Sequence, residues 1–322
     1  MLKEQLSRWL NAGFITNEQA AQIQAFEAAR AQHQERRVPL IVEALGYLGG
    51  ALAVIAVLIL AQEFWADLEL WGRIALLGTV TLGLLIAGWV LRNSPLEAIR
   101  RLSGFTWLFA VVGSGFTFAI LSADGFDGSP ELSTLLGSLA AGAIGLVLWR
   151  IRTMSLQQLG FFAALVTATM SMGGVIEWPE EFFGLAMWAV GTVWLFLTWG
   201  TAIRPTTTGY ALGGVASLIG TQLLSIAGEG WPLLLGVLVA GALIVASVTL
   251  RQIVLLALGA AGVFIFVPQV VFNYFGDSLG APVALLISGA ALIGGAVALA
   301  RLMGEIKEDI AEAGEETQEV TS

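Results

Sequence analysis

The sequence predicts an all-α, polytopic integral membrane bundle of about ten transmembrane helices, preceded by a short soluble N-terminal helical hairpin. Three observations predict it. Of 322 residues, 57% are hydrophobic and only 12% charged, about half the ~25% charge of a soluble domain. The apolar residues fall in runs of about 20, the length a helix needs to cross a ~30 Å hydrocarbon core. The 39 glycines lie largely inside those runs, where membrane helices use them for close approach.

Taken in order, the runs give spans at 40–62, 71–91, 102–122, 132–149, 156–176, 182–200, 207–227, 231–250, 252–275 and 281–303. The stretch from Trp231 to Phe275 carries one charge, Arg251. As a single helix it would be about 67 Å long, more than twice the membrane, so it must fold back at Arg251-Gln252. The first run lies behind almost forty more polar residues and is expected to remain as a span, not to be cleaved as a signal peptide.

Charge placement tests this threading independently. With the N-terminus inside, one set of connections carries Arg92, Arg100, Arg101, Arg150, Arg152, Arg204 and Arg251. The opposite set carries Glu63, Asp67, Glu69, Asp124, Asp127, Glu131, Glu177, Glu180, Glu181, Glu229 and Asp277. Of the 15 Lys and Arg residues only Arg73 falls on the acidic side. This is the positive-inside bias, and a wrong span count would scramble it. The expected topology therefore has both termini cytoplasmic, in the cytoplasmic (inner) membrane. Trp65, Trp71, Trp89, Trp149, Trp178, Trp199 and Trp231 fall at span ends, where amphipathic rings favour the headgroup level. Trp107, Trp188 and Trp194 sit deeper and read as packing residues.

Residues 1–38 read as a cytoplasmic hairpin, 39–303 as the membrane domain and 304–322 as an acidic cytoplasmic tail. In the hairpin, Leu2, Leu6, Trp9 and Leu10 mark one face of a first helix, and Asn11-Ala12-Gly13 supplies its stop. Thr16 to Gln19 fits a capping box that opens a second helix, along which Ala20, Ile23 and Phe26 continue an apolar stripe. A unit of this size is below the ~40 residues at which most domains fold alone. Its contact face, Leu6, Trp9, Leu10, Ile15, Ile23 and Phe26, therefore needs a cover: the bundle, lipid, a second copy or a cytoplasmic protein.

At this segment the chain resembles a known group. Trp9, Gly13-Phe14-Ile15, Glu18-Gln19-Ala20 and Ile23, followed by the glycine-rich first span, are similar to the bacterial predicted membrane proteins of the domain of unknown function 2157 family. The resemblance covers residues 6 to 91 and implies a short soluble hairpin before many membrane helices. The family's Asn-Trp pair at the close of the first span is replaced here by Phe64-Trp65. The family carries no agreed activity, so no functional residues transfer.

The chemistry is narrowed mainly by what the sequence lacks. There is no cysteine and one histidine, His33, and no Asp lies in a span, so thiolate metal sites, HExxH zinc sites and an aspartyl dyad are excluded. No base is at hand for a nucleophilic serine, and no Gly-rich phosphate loop ends in Lys-Ser/Thr. No enzyme activity, metal or cofactor is expected. The net charge of −9 argues against nucleic acid as a partner; the lipid bilayer is the expected one. A candidate polar cavity is marked by Glu43 in the first span, which reads also as an interfacial carboxylate near Arg36 and Arg37, by Gln222, and by Pro268-Gln269 with Asn273 in the ninth. Broken helices with amides can line a substrate path, and they also arise as kinks whose amides join neighbouring helices. Gly46-x-x-x-Gly50 and Gly209-x-x-x-Gly213 have the close-approach spacing and read as internal packing in preference to dimerisation.

Two functional readings follow. One is a non-enzymatic multi-pass protein whose hairpin docks on the bundle or contacts a cytoplasmic partner or a second copy. The other is a secondary transporter of a neutral or amphipathic solute, because ten spans divide into a 5+5 inverted-repeat layout.

Overall fold

Which chain segments become helices follows from where apolar runs end. The computed structural model describes residues 12–24, 67–95, 97–227 and 230–275 continuously, with short pieces between 6 and 65 and between 282 and 297. The chain divides into two compact units, Met1–Leu68 and Glu69–Ser322. The second holds α1 (Leu70–Leu91), α2 (Glu97–Gly125), α3 (Pro130–Ile151), α4 (Ser155–Val175), α5 (Glu180–Trp199), α6 (Thr206–Ala227), α7 (Trp231–Leu250) and α8 (Ile253–Phe275). These eight are long and apolar enough to cross a membrane, and all regular structure among the described residues is helical. They coincide with the expected spans from 71–91 to 252–275. The expected spans 40–62 and 281–303 lie largely outside the described residues, as does the tail 304–322; Leu48, Leu52 and Ile59 in the first of these spans are helical.

Each turn has its own local cause. α3 starts with Ser129 accepting a hydrogen bond from Leu132 N at 3.2 Å and with Pro130 in the first turn, where the missing N–H costs nothing. Three helices end in a left-handed residue that is not glycine: Glu177 (φ 52°), Thr201 (φ 61°) and Arg251 (φ 50°). At each, the next residue's N–H bonds back five residues: Trp178 to Gly173 O, Ala202 to Leu197 O, and Gln252 to Ser247 O. This Schellman closure satisfies otherwise orphaned carbonyls. It turns α7 back into α8 at Arg251-Gln252, where the sequence placed the tip.

Neighbour relations are simple. Consecutive helices pack antiparallel. α2 lies against α1, α3 and α4, and α6 lies against α5, α7 and α8. The same pattern thus recurs four helices later, with matching helices running in the same direction. Only α4 among the first four makes substantial contact with the second four, through α5 and α6.

Lipid supplies no hydrophobic drive for helices to associate, so close packing must do so. A Cβ on Gly220 of α6 would fall on the Trp188 backbone of α5, and one on Gly184 on the Leu224 backbone. Gly213 faces Gly191 O, and Gly209 faces the Thr198 side chain. The Gly209–Gly213 spacing therefore serves the α5–α6 contact, and α6 buries ten residues, five of them Gly209, Gly213, Gly214, Ala216 and Gly220.

The arginine-bearing connections share one end. Arg152 donates to Arg92 O at 3.2 Å, and Trp149 Nε1 donates to Arg204 O at 2.9 Å. At the other end Arg73, the one basic residue out of place, donates to Asp124 at 2.8 Å. The exception to the charge rule is thus paired with an acid of its own side. Trp149 is at its expected helix end but buried (8% exposed) among Phe161 and Trp194, whereas Trp71, Trp89, Trp199 and Trp231 are exposed.

Gly220→Ala is expected to lower stability by more than about 1 kcal/mol, because the backbone of α5 must move. Gly241→Ala, with nothing within 4 Å of the added carbon, is expected to gain up to about 1 kcal/mol from helix propensity. Unfolding temperatures in detergent micelles decide; equal shifts for the two would refute the contact account.

Candidate functional site

Polar side chains inside an apolar bundle are the first place to look for function, and they gather here in two places. The first is the start of α4. Gln157 and Gln158 are fully buried (1% and 0% exposed) and reach in opposite directions. Gln157 Nε2 donates to Gly104 O of α2 at 3.1 Å. The Gln158 amide donates to Pro205 O at 3.1 Å and accepts from Gly209 N at 3.0 Å. Thr208 Oγ1 donates to Ser155 Oγ at 2.8 Å beside them. Reading the sequence missed both glutamines. The available signal was that a lipid-facing helix has no use for adjacent amides.

The second place joins residues the sequence singled out. Gln222 of α6 and Gln269 of α8 face each other and exchange two hydrogen bonds, Gln222 Nε2 to Gln269 Oε1 at 3.2 Å and Gln269 Nε2 to Gln222 Oε1 at 3.1 Å. Pro268 lies inside α8 just before, and Asn273 sits one turn on, against Gly230, where a Cβ would meet its carbonyl oxygen. Each amide uses its partner, so the arrangement acts as a clamp between α6 and α8. None of these residues lines the cleft described next, and Glu43 lies outside the described residues.

That cleft, about 800 Å³, opens between α5 and α7 over α6. Trp188, Thr192 and Trp199 line it from α5, and Tyr210 and Ser217 form its floor on α6. Ala242, Ala246 and Leu250 face it from α7, with Leu255 of α8 at one end. Thr192 and Ser217 hydroxyls are 3.4 Å apart. Trp188 Nε1 is buried without a hydrogen-bond partner. No group of three or more metal-ligating side chains exists among the described residues.

The hairpin forms a fourth candidate. Gly13 is left-handed (φ 74°), with Phe14 N bonding to Trp9 O at 3.0 Å and Gly13 N to Leu10 O at 3.1 Å. The capping box is made: Thr16 N donates to Gln19 Oε1 at 2.9 Å, and Gln19 N to Thr16 Oγ1 at 3.2 Å. The expected contact face divides. Leu6 is buried, Leu10, Ile15 and Ile23 are half-buried, and Trp9 (43%) and Phe26 (66%) are exposed, with Phe14 beside them at 79%.

Removing one partner of the Gln222–Gln269 pair strands a half-buried amide inside the apolar bundle, at about 1 kcal/mol or more. Gln222→Leu and Gln269→Leu are each expected to destabilise, and the double variant to cost about 1 kcal/mol less than their sum. Additive losses in detergent unfolding would show that the amides do not act as a pair.

Comparison with known proteins adds a family and a fold. Residues 7–156 match the family model described as predicted membrane protein, DUF2157, so the resemblance read from residues 6 to 91 holds over a longer segment. No curated protein gives a match to the chain. A chain of the solved assembly titled "MycP5-free ESX-5 inner membrane complex, State II" is similar in fold. The TM-score is 0.58 at 16% identity, over 87% of this chain and 75% of that one.

Proposed function

We propose that the protein is a non-enzymatic, multi-pass scaffold of the cytoplasmic membrane whose N-terminal hairpin holds a cytoplasmic protein partner. The observation that carries this reading is the hairpin itself, a capped element that presents Trp9, Phe14 and Phe26 to solvent. Exposed aromatic side chains grouped on a small folded element favour protein contact. A fold shared with a chain of an inner membrane complex is in keeping with a subunit role.

The same reading has ten spans and both termini in the cytoplasm. Its support is the gathering of arginine connections at one end of the second unit, with Arg73 paired to Asp124 at the other. The carrier alternative asks for helices related five apart and in opposite directions. The neighbour pattern among the described helices instead recurs at four, in the same direction, which favours the scaffold.

The chain has no cysteine, so single cysteines report topology directly. Cysteines at Asn17, Asn93 and Thr153 are expected to react with a membrane-impermeant maleimide only after the membrane is opened, and one at Glu180 in intact cells. The reverse pattern, or mixed labelling within the first group, would overturn the orientation.

For the partner, the full chain carrying Trp9→Ser and Phe14→Ser is expected to lose a cross-linked cytoplasmic protein that the native chain retains. Its unfolding temperature should be unchanged. An unaltered cross-linking pattern and oligomer size would remove the contact role.

A further inference from the structure

The cleft between α5 and α7 has a depth that selects its occupant. From Trp188 to Trp199 along α5 is about 16 Å at helical rise, close to half the ~30 Å hydrocarbon core. Trp188 lies near the middle of α5, and Trp199 closes it at the arginine end. Leu250 and Leu255 flank the α7–α8 turn at that same end. The cleft thus runs from mid-membrane to one surface, the reach of one lipid leaflet.

Its outlet is basic. The connections bounding it, 200–205 and 251–252, contain Arg204 and Arg251 and no acid, and both arginines are exposed. Its wall is apolar, with few polar groups. Tyr210, 6% exposed, lines it near the outlet. Ser217 already spends its hydroxyl on Gly213 O at 2.8 Å. An apolar slot one leaflet deep, lined by a phenol near the end where the connections after α5 and α7 each carry an arginine, matches a long hydrocarbon chain carrying an anionic head. Phosphate is bound well by arginine at such a surface.

We propose that this cleft is a binding site for one acyl chain of an anionic phospholipid, drawn from the leaflet at the arginine end, with the headgroup held near Arg204 and Arg251. A second copy of the chain is the competing occupant; an aqueous metabolite is disfavoured by the wall.

The test uses the full chain in detergent, titrated with phosphatidylglycerol or phosphatidylcholine and read by native mass spectrometry. The native protein is expected to retain one phosphatidylglycerol in preference to phosphatidylcholine. Ala242→Phe with Ala246→Phe, which fills the cleft, should weaken that retention about tenfold. Arg204→Gln with Arg251→Gln should remove the preference for the anionic lipid while leaving chain binding. Equal retention by native and filled proteins would overturn the site. So would loss of a dimer on filling with no change in bound lipid, which would assign the cleft to a second copy. Because the filled variant can misfold, a photoactivatable phosphatidylglycerol is also mapped on the native protein. Adducts concentrated at Ala242, Leu243 and Ala246 support the site. Adducts spread equally over outward residues such as Leu82 and Ile86 of α1 overturn it.

Discussion

The bundle depends on a pair of neighbouring amides, Gln157 and Gln158, at the start of α4. In hydrocarbon there is no water to satisfy a polar group and no hydrophobic force between helices. A buried amide therefore binds strongly to whatever backbone it reaches. Gln157 reaches α2 and Gln158 reaches the connection into α6, so α4 is tied to the central helix of each four-helix set. Trp149 Nε1 on Arg204 O and the stacking of Trp149 on Phe161 and on Trp194 reinforce the same junction. Without these ties the two sets would share only the modest α4 contacts with α5 and α6.

Around that junction, close packing and open space are set by residue size. α6 presents small residues to α5 and α8 and draws them in. Gly191 and Gly213 oppose each other, and Gly262 of α8 faces Ala240 and Leu218. The Gln222–Gln269 clamp holds α6 to α8 toward the acidic end. Nothing comparable draws α5 to α7, which carry Trp188, Trp199, Leu238 and Leu250 on their facing sides. The cleft is the consequence of that asymmetry.

Much of the fold was legible because single-helix properties are written locally. Apolar runs gave the eight described helices, the lone Arg251 gave the α7–α8 turn, and Gly13 and the Thr16–Gln19 box gave the hairpin's stop and start. Arg73 looked like an error in the charge pattern and proved to be half of an ion pair with Asp124, 51 residues away. The candidate site was legible only in part. Gln222 and Gln269 were conspicuous as amides in apolar runs, but their mutual pairing depends on how α6 and α8 lie together. Trp149 looked like an interfacial anchor because its position in the sequence says nothing about which side of the helix faces protein.

What the sequence alone determined is the class of protein and where its helices start and turn: helices long enough for a bilayer, turns where charge interrupts them, arginine at one set of ends and acid at the other. Those follow from length, transfer energy and electrostatics, each of which acts on one segment at a time. Only the tertiary structure decided which glycines meet, which glutamines find each other, that the helix pattern recurs at four, and where a leaflet-deep cleft remains. Those depend on pairs of distant segments, and in lipid every helix face is apolar, so hydrophobic pattern does not distinguish the face that meets protein from the face that meets lipid.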